Sequence, residues 1–333
     1  MSRVCGVPEQ ERRGPRATAR DVEPDLSLEL AGLRLGNPVL CASGPLGHGR
    51  EVAQVYDLRA FGAFVTKSIT LEPTAGNPRP HGVPTDSGWL NSVGLRNPGL
   101  AAFLAKDLPF LRTLGIPIVA SVAGHSVEEF CTVVRGLDEA EGIHALELNV
   151  SCPNVADGLL FGQNPQRTAA LVAAVRRLTR LPVFVKLAPD LLDPTGCARA
   201  AVHAGADVLV VTNTLPAMAI DVHSRRPKLG GITGGLSGPA IRPVVVRLVW
   251  EISRAVPVPV VGAGGVASWE HAVEFLLAGA RAVAVGSALL ADPQAHVKVL
   301  WGLREYLRAQ GVARVAALVG SLDLSGPALA EQA

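Results

Sequence analysis

From Leu26 onward, short apolar runs alternate with amphipathic stretches along the chain. Eight of the runs read as strands: Val39–Ala42, Gly62–Thr66, Pro117–Ser121, Ala145–Val150, Val183–Leu187, Val208–Thr212, Val258–Gly262 and Ala282–Val285. As a set they are continuous rather than alternating, which predicts parallel strands covered on both faces. Helical stretches follow them, among them Glu51–Arg59, Val127–Glu139, Pro165–Thr179, Pro194–Ala204, Pro239–Ala255 and Trp269–Ala278. Eight strand–helix units in 333 residues predict an α/β fold of the (β/α)8 TIM-barrel type. A doubly wound open sheet is the alternative, but G-x-G-x-x-G is missing after the first strand.

Leu26–Leu30 and Leu33–Leu35 flank Ala31-Gly32 and predict an N-terminal hairpin ahead of the barrel. Two connections are too long for simple βα loops: Ile69 to Pro98 after strand two, and Asn213 to Gly238 after strand six. The second contains a hairpin pattern around Ile220–Leu229. Long insertions at this face of a barrel are expected as lids or ligand walls. Gly76, Gly82, Gly88 and Gly94 would make the first one flexible. The expected division is a disordered tail over 1–25, one barrel domain over 26–320 and a C-terminal tail over 321–333.

Chemistry in a barrel gathers at the C-terminal ends of the strands. Strand four runs into Asn149-Val150-Ser151-Cys152-Pro153-Asn154, a thiol between two carboxamides. An amide both donates and accepts, so Asn149 and Asn154 suit a planar amide-bearing ligand faced by Cys152. A structural Cys is more at home in an apolar run than in Ser-Cys-Pro-Asn. Lys67 and Lys186 end strands two and five and would stabilise negative charge, such as that of a reduced flavin ring. Strand six ends in Thr212-Asn213-Thr214. Gly264-Gly265 and Gly286-Ser287, after strands seven and eight, predict a phosphate cradle. His48, His125 and His223 lack metal-type spacing and read as ordinary polar loop residues.

A net charge of +2 and the absence of charge blocks beyond the Arg-rich N-terminus argue against a nucleic-acid surface. The five cysteines (Cys5, Cys41, Cys131, Cys152, Cys197) form no C-x-x-C pair, which argues against a disulfide framework, a metal site or an iron–sulfur cluster on this chain. A reducing cytosol fits. No apolar segment resembles a secretory signal or a membrane span, so a cytoplasmic protein is expected.

Taken in order, the motifs resemble the class 1 dihydroorotate dehydrogenases, FMN-dependent barrel enzymes of de novo pyrimidine synthesis. The resemblance runs from about Leu28 to Gly320. It rests on Ala42-Ser43-Gly44, Lys67 with Thr70-Leu71-Glu72-Pro73, Asn91-Ser92-Val93-Gly94-Leu95 with Asn97-Pro98-Gly99, and the Cys152 segment. Val185-Lys186-Leu187, Asn213-Thr214, Gly234 to Pro239 and Gly264-Gly265 extend it. It implies that Cys152 is the base that removes the C5 proton of dihydroorotate while C6 gives hydride to FMN N5. Lys67, Asn91 to Leu95 (with Ser92, Val93 and Gly94), Asn149, Asn154, Asn213 and Thr214 would hold the substrate. Ser43, Lys67, Ser68, Ser121, Asn149, Lys186, Thr212, Gly238, Gly264, Gly265, Gly286 and Ser287 would hold FMN. Ser121 departs from the Asn that the family often has there.

The Leu-Glu-Leu-Asn, Phe161-Gly162 and Gly-Leu-Ser-Gly-Pro runs resemble the NAD-linked (1B) subtype. In that subtype a partner subunit carries FAD and a [2Fe–2S] cluster, and a homodimer of this chain joins two partners in a heterotetramer. Three alternatives stay open: a fumarate-linked class 1 enzyme, a barrel flavoprotein reducing another pyrimidine, and a non-catalytic barrel scaffold.

Overall fold

The computed structural model describes residues 23–150, 161–189 and 193–325. Eight parallel strands close a barrel in sequence order: β1 Val39–Cys41, β2 Ala63–Val65, β3 Ile118–Val122, β4 Ala145–Asn149, β5 Val183–Lys186, β6 Val208–Val211, β7 Val260–Ala263 and β8 Ala282–Val285. The strand ends differ from expectation by a residue or two. Pro259 has no N–H to give the ladder, so β7 begins at Val260 rather than Val258.

Alternation along each strand sorts side chains into two cores. Outward residues such as Leu146, Leu148, Val183 and Val185 pack under the surrounding helices. Inward residues, among them Leu40, Val65, Val119, Phe184, Val210 and Val261, fill the barrel. The hairpin Leu28–Leu30 with Leu33–Leu35 plugs its N-terminal end, where Leu30 and Leu35 join the inner core. Arg281, just before β8, donates to the Glu29 carbonyl there.

Several helices start on the signals their sequences carry. Ser126 Oγ accepts from Glu129 N at 3.1 Å at the head of Val127–Asp138, with Glu128 and Glu129 in the first turn. Asn164 caps Pro165–Arg176 in the same way. Elsewhere the expectation fails. Glu51–Arg59 forms isolated turns and a single 3-10 turn, Leu58–Ala60. The segment is short, contains Val52 and Val55, and too few turns are joined to offset the cost of helix nucleation. Leu100–Arg112 is helical, with a π turn over Phe103–Asp107 where Pro109 cannot donate to the turn before it.

The two insertions build one structure. Gly82–Thr85, Gly88–Asn91, Thr233–Ser237 and Leu215–Met218 form a four-stranded antiparallel sheet over the barrel mouth, and Asn91 pairs with Gly82 on one side and Gly235 on the other. A short pairing of Ile220–Asp221 with Arg226–Pro227 accounts for the second insertion's hairpin. The glycines expected to flex serve close packing instead. A Cβ on Gly88 would lie 2.1 Å from the Ser237 carbonyl oxygen.

Glu23 and Asp25, expected in the disordered tail, are tied to the barrel. Asp25 N donates to Ala313 O at 2.8 Å, Val315 N donates to Asp25 O at 2.9 Å, and Glu23 pairs with Arg304 and Arg308. His48 is buried beside Phe103 rather than set in a polar loop; burial, with the Lys67 charge adding to it against Glu51, pushes its imidazole down to about 4. Among the described residues no helix is long and apolar enough to cross a membrane.

Candidate active site

A cleft of about 390 Å³ opens between the barrel mouth and the four-stranded sheet. Its volume falls within the range of small-molecule sites, roughly 300–1,000 Å³. Among the described residues, the structure brings together Ser43, Lys67, Ser68, Asn149, Lys186, Thr212, Asn213, Thr214, Gly264, Gly265, Gly286 and Ser287 from the strand ends. Asn91, Val93, Gly94, Leu95 and Gly238 join them from the insertions. Cys152 and Asn154 lie outside the described residues.

Two expected residues are placed away from the cleft wall. Ser92 comes directly after the strand Gly88–Asn91, and its side chain is turned away from the cleft that Asn91 lines. It is fully buried, accepts from Asn77 Nδ2 at 2.8 Å, and its N–H donates to His81 O. Ser121, also fully buried, lies beneath the floor because β3 turns it into the barrel. Its hydroxyl meets Ser68 Oγ at 3.1 Å and donates to Glu147 Oε1 at 3.1 Å.

That contact belongs to a polar column. Asn213 Oδ1 accepts from Thr214 N at 2.8 Å, which leaves its Nδ2 to donate to Asn149 Oδ1 at 3.3 Å. Asn149 Nδ2 donates to Ser68 Oγ at 3.0 Å. The column ends at Glu147, which is buried in the barrel. Burial pushes the Glu147 carboxyl up, while the Lys186 ammonium and the Ser121 hydrogen bond act against that rise. The same burial, with the Glu147 charge adding to it, pushes the Cys41 thiol up. Glu147 is a site residue the sequence reading did not single out. The signal was a carboxylate in a barrel strand, two residues before Asn149 and therefore on its face.

The glycines expected to form a cradle meet on one wall of the cleft. Gly264, Gly265, Gly286 and Ser287 line the cleft together with Gly238. Gly265 has φ +84°, and a Cβ there would sit 2.9 Å from Gly238 O and 2.7 Å from Arg242 Cβ. Only glycine fits the backbone this close to its neighbours at such a φ. Polar wall groups missed by the sequence reading include His81 and Ser237, whose hydroxyl donates to Trp89 O at 3.1 Å. They come from the insertion sheet, whose pairing no local pattern reveals.

A closed parallel barrel whose C-terminal mouth gathers two lysines, a set of amides and several glycines around one cleft has the layout of a barrel enzyme with a small-molecule site. A family model described as "Dihydroorotate dehydrogenase" matches residues 25–307. The chain belongs to the dihydroorotate dehydrogenase family, which implies a flavin. It is 48% identical over 303 residues to the "Dihydroorotate dehydrogenase B (NAD(+)), catalytic subunit" of Pelobacter propionicus, covering 91% of this chain and 100% of that one. The protein of the same name from Desulforudis audaxviator is 50% identical over 301 residues, covering 90% and 98%. Such a name implies a further subunit. The Eimeria tenella dihydroorotate dehydrogenase solved with ferulenol is 22% identical and superposes with a TM-score of 0.76, covering 95% of this chain and 91% of that chain, which supports the fold.

Proposed function

We propose that this chain oxidises dihydroorotate to orotate in pyrimidine biosynthesis, with FMN seated in the cleft and NAD as the final acceptor. The observation that carries the reading is the union in one cleft of Lys186, the glycine cradle and the amides of Asn91, Asn149 and Asn213. When bound, FMN supplies the acceptor for the hydride that leaves C6. Ser43, Ser68, Lys186, Thr212, Gly238, Gly264, Gly265, Gly286 and Ser287 would hold it, with the glycine backbones around the phosphate. Lys67, Asn91, Asn149, Asn154, Asn213 and Thr214 hold the substrate's carboxylate and ring amides, and Val93 to Leu95 close over it. Cys152 takes the C5 proton. Ser121 serves beneath the floor rather than on the flavin.

The names of the relatives support a partner that carries electrons on to NAD. We assign that partner FAD and a [2Fe–2S] centre, and the assembly a homodimer of this chain joined to two partners in the cytoplasm. Anaerobic addition of dihydroorotate to the purified yellow protein tests the core of the reading. The flavin should bleach with dihydroorotate and not with dihydrouracil. A colourless protein, or a flavin that dihydroorotate leaves oxidised, refutes it. Efficient turnover with fumarate would reassign the acceptor.

A further inference from the structure

On β4 the side chains of Ala145, Glu147 and Asn149 share one face, so the Glu147 carboxylate lies one layer below the Asn149 amide. It is 2% exposed. An ionised carboxylate can only accept hydrogen bonds. Ser121 therefore gives its single proton to Glu147 Oε1 and must accept from Ser68, 3.1 Å away. Ser68 has then spent its own proton and can only accept from the residue above it. That partner is Asn149 Nδ2, at 3.0 Å. Asn149 Oδ1 is left facing Asn213 Nδ2, itself held in that orientation by Thr214 N. The order of donors in the column is thus the one a charged Glu147 imposes. A neutral acid donating to Ser121 would release the Asn149 amide to face either way.

We propose that Glu147 is a positioning residue: through Ser121 and Ser68 it locks the Asn149 amide in one of its two flips. It thereby sets where a bound pyrimidine ring meets a donor and where it meets an acceptor. Asn149 keeps a second N–H and a second lone pair for that ligand. The proposal rests on the assignment of the cleft to dihydroorotate and orotate.

Orotate binding to the FMN-loaded protein, followed by the change in flavin absorbance, tests it. Two effects of Glu147→Gln have opposite signs. Removing a negative charge beneath an anion site tightens orotate binding by itself. Releasing the amide sets donor against donor in a fraction of the molecules and weakens it. We expect weakening, about tenfold to a hundredfold, with FMN content unchanged. Ser121→Ala, which cuts the column, should weaken orotate as well. In the Ser121→Ala background Glu147→Gln should cause no further weakening, and in the Asn149→Ala background Ser121→Ala should add nothing, since residues acting through one chain are not additive. Equal or tighter orotate binding by Glu147→Gln overturns the proposal, and so do additive losses. Should Glu147→Gln fail to fold, the cycle of Ser121→Ala with Asn149→Ala decides alone, additivity counting against the proposal. If Asn149→Ala binds orotate like the wild type, the substrate role of Asn149 falls and the proposal with it. If Asn149→Ala weakens binding while Glu147→Gln does not, only the proposal falls.

Discussion

Replacing Lys186 with Met removes an ammonium while keeping much of the side chain's reach. Lys186 ends β5, is buried, and lines both the cleft and the small space beneath it that holds Glu147. The first consequence falls on Glu147, which loses the charge that favours its ionised form. The two charges lie farther apart than an ion pair, so at an effective dielectric of about 20 the loss is below about 4 kcal/mol where Glu147 is ionised. For 333 residues, at an unfolding entropy of about 2.1 cal/mol/K per residue, that lowers Tm by less than about 6 °C. Burial already holds the folded carboxyl above its ordinary value of 4.5, and losing Lys186 raises it further. A raised acid binds its proton more tightly folded than unfolded. Stability therefore drops as pH climbs from about 4.5 through the folded value, and the whole loss is present above it. The Tm gap to wild type should accordingly open as pH climbs past the wild-type folded value and close below it. The second consequence falls on the flavin. A lost hydrogen bond or charge contact to an anionic ring, about 1.5–3 kcal/mol, lowers its midpoint potential by about 30–60 mV. Calorimetric scans across pH and a redox titration read the two separately, because weaker FMN binding alone would not make the Tm gap close in acid. A gap that stays constant from about pH 4.5 into the alkaline range would refute the coupling of Lys186 to Glu147, and an unchanged potential at full FMN content would remove Lys186 from the flavin.

Cys152→Ala should keep FMN and bind orotate, yet reduce its flavin with dihydroorotate about 10²- to 10⁴-fold more slowly in stopped flow; near-normal reduction would end the base assignment. The wild-type rate should rise toward about pH 8.5, where a free thiol ionises. Asn91 lines the cleft and donates to Gly235 O at 3.1 Å, so Asn91→Ala should weaken orotate by about 1–3 kcal/mol in an equilibrium titration, and equal affinity would show that this wall does not touch substrate. Phe184→Ala hollows the barrel interior and should cost about 3–5 kcal/mol in denaturant unfolding; a loss below 1 kcal/mol would mean the inner core collapses around the gap. Alone, the chain should turn over dihydroorotate with an artificial dye and reduce NAD poorly until a subunit with FAD and a [2Fe–2S] centre is added; robust NAD reduction without it would refute the partner.

The barrel was legible because parallel strands buried on both faces leave unbroken apolar runs, and the mouth was legible because Lys67, Asn149, Lys186 and the glycine pairs sit where those runs stop. What escaped depends on contacts distant in sequence. Asn91 and Gly235 pair side by side although 144 residues separate them, so two segments that read as independent insertions are one sheet. Asp25 reads as part of a polar tail until Ala313 and Val315 give its backbone partners. The Glu51–Arg59 pattern has helical spacing, but local spacing carries no information on whether the segment is long enough to nucleate. Ser121 stood at a strand end, where polar residues usually face ligand, and only the strand's direction shows that it points under the floor.

The polar column also shows what acts on a carboxyl inside an otherwise apolar barrel. The space that Glu147 and Lys186 share with Phe184 and Val210 is about 10 Å³, at the lower limit for one water. Bulk solvent therefore does little for the carboxyl; Lys186 and the Ser121 hydroxyl favour its ionised form, against a burial that still leaves it raised. Each of these has a second attachment: Lys186 lines the cleft, and Ser121 continues through Ser68 to Asn149. On the proposed reading, one attachment serves the flavin side and the other the substrate side. Period-two alternation along a single strand thus places Ala145 in the core, Glu147 in the column and Asn149 at the ligand. A change at Glu147 is accordingly expected to reach the substrate site without touching the substrate.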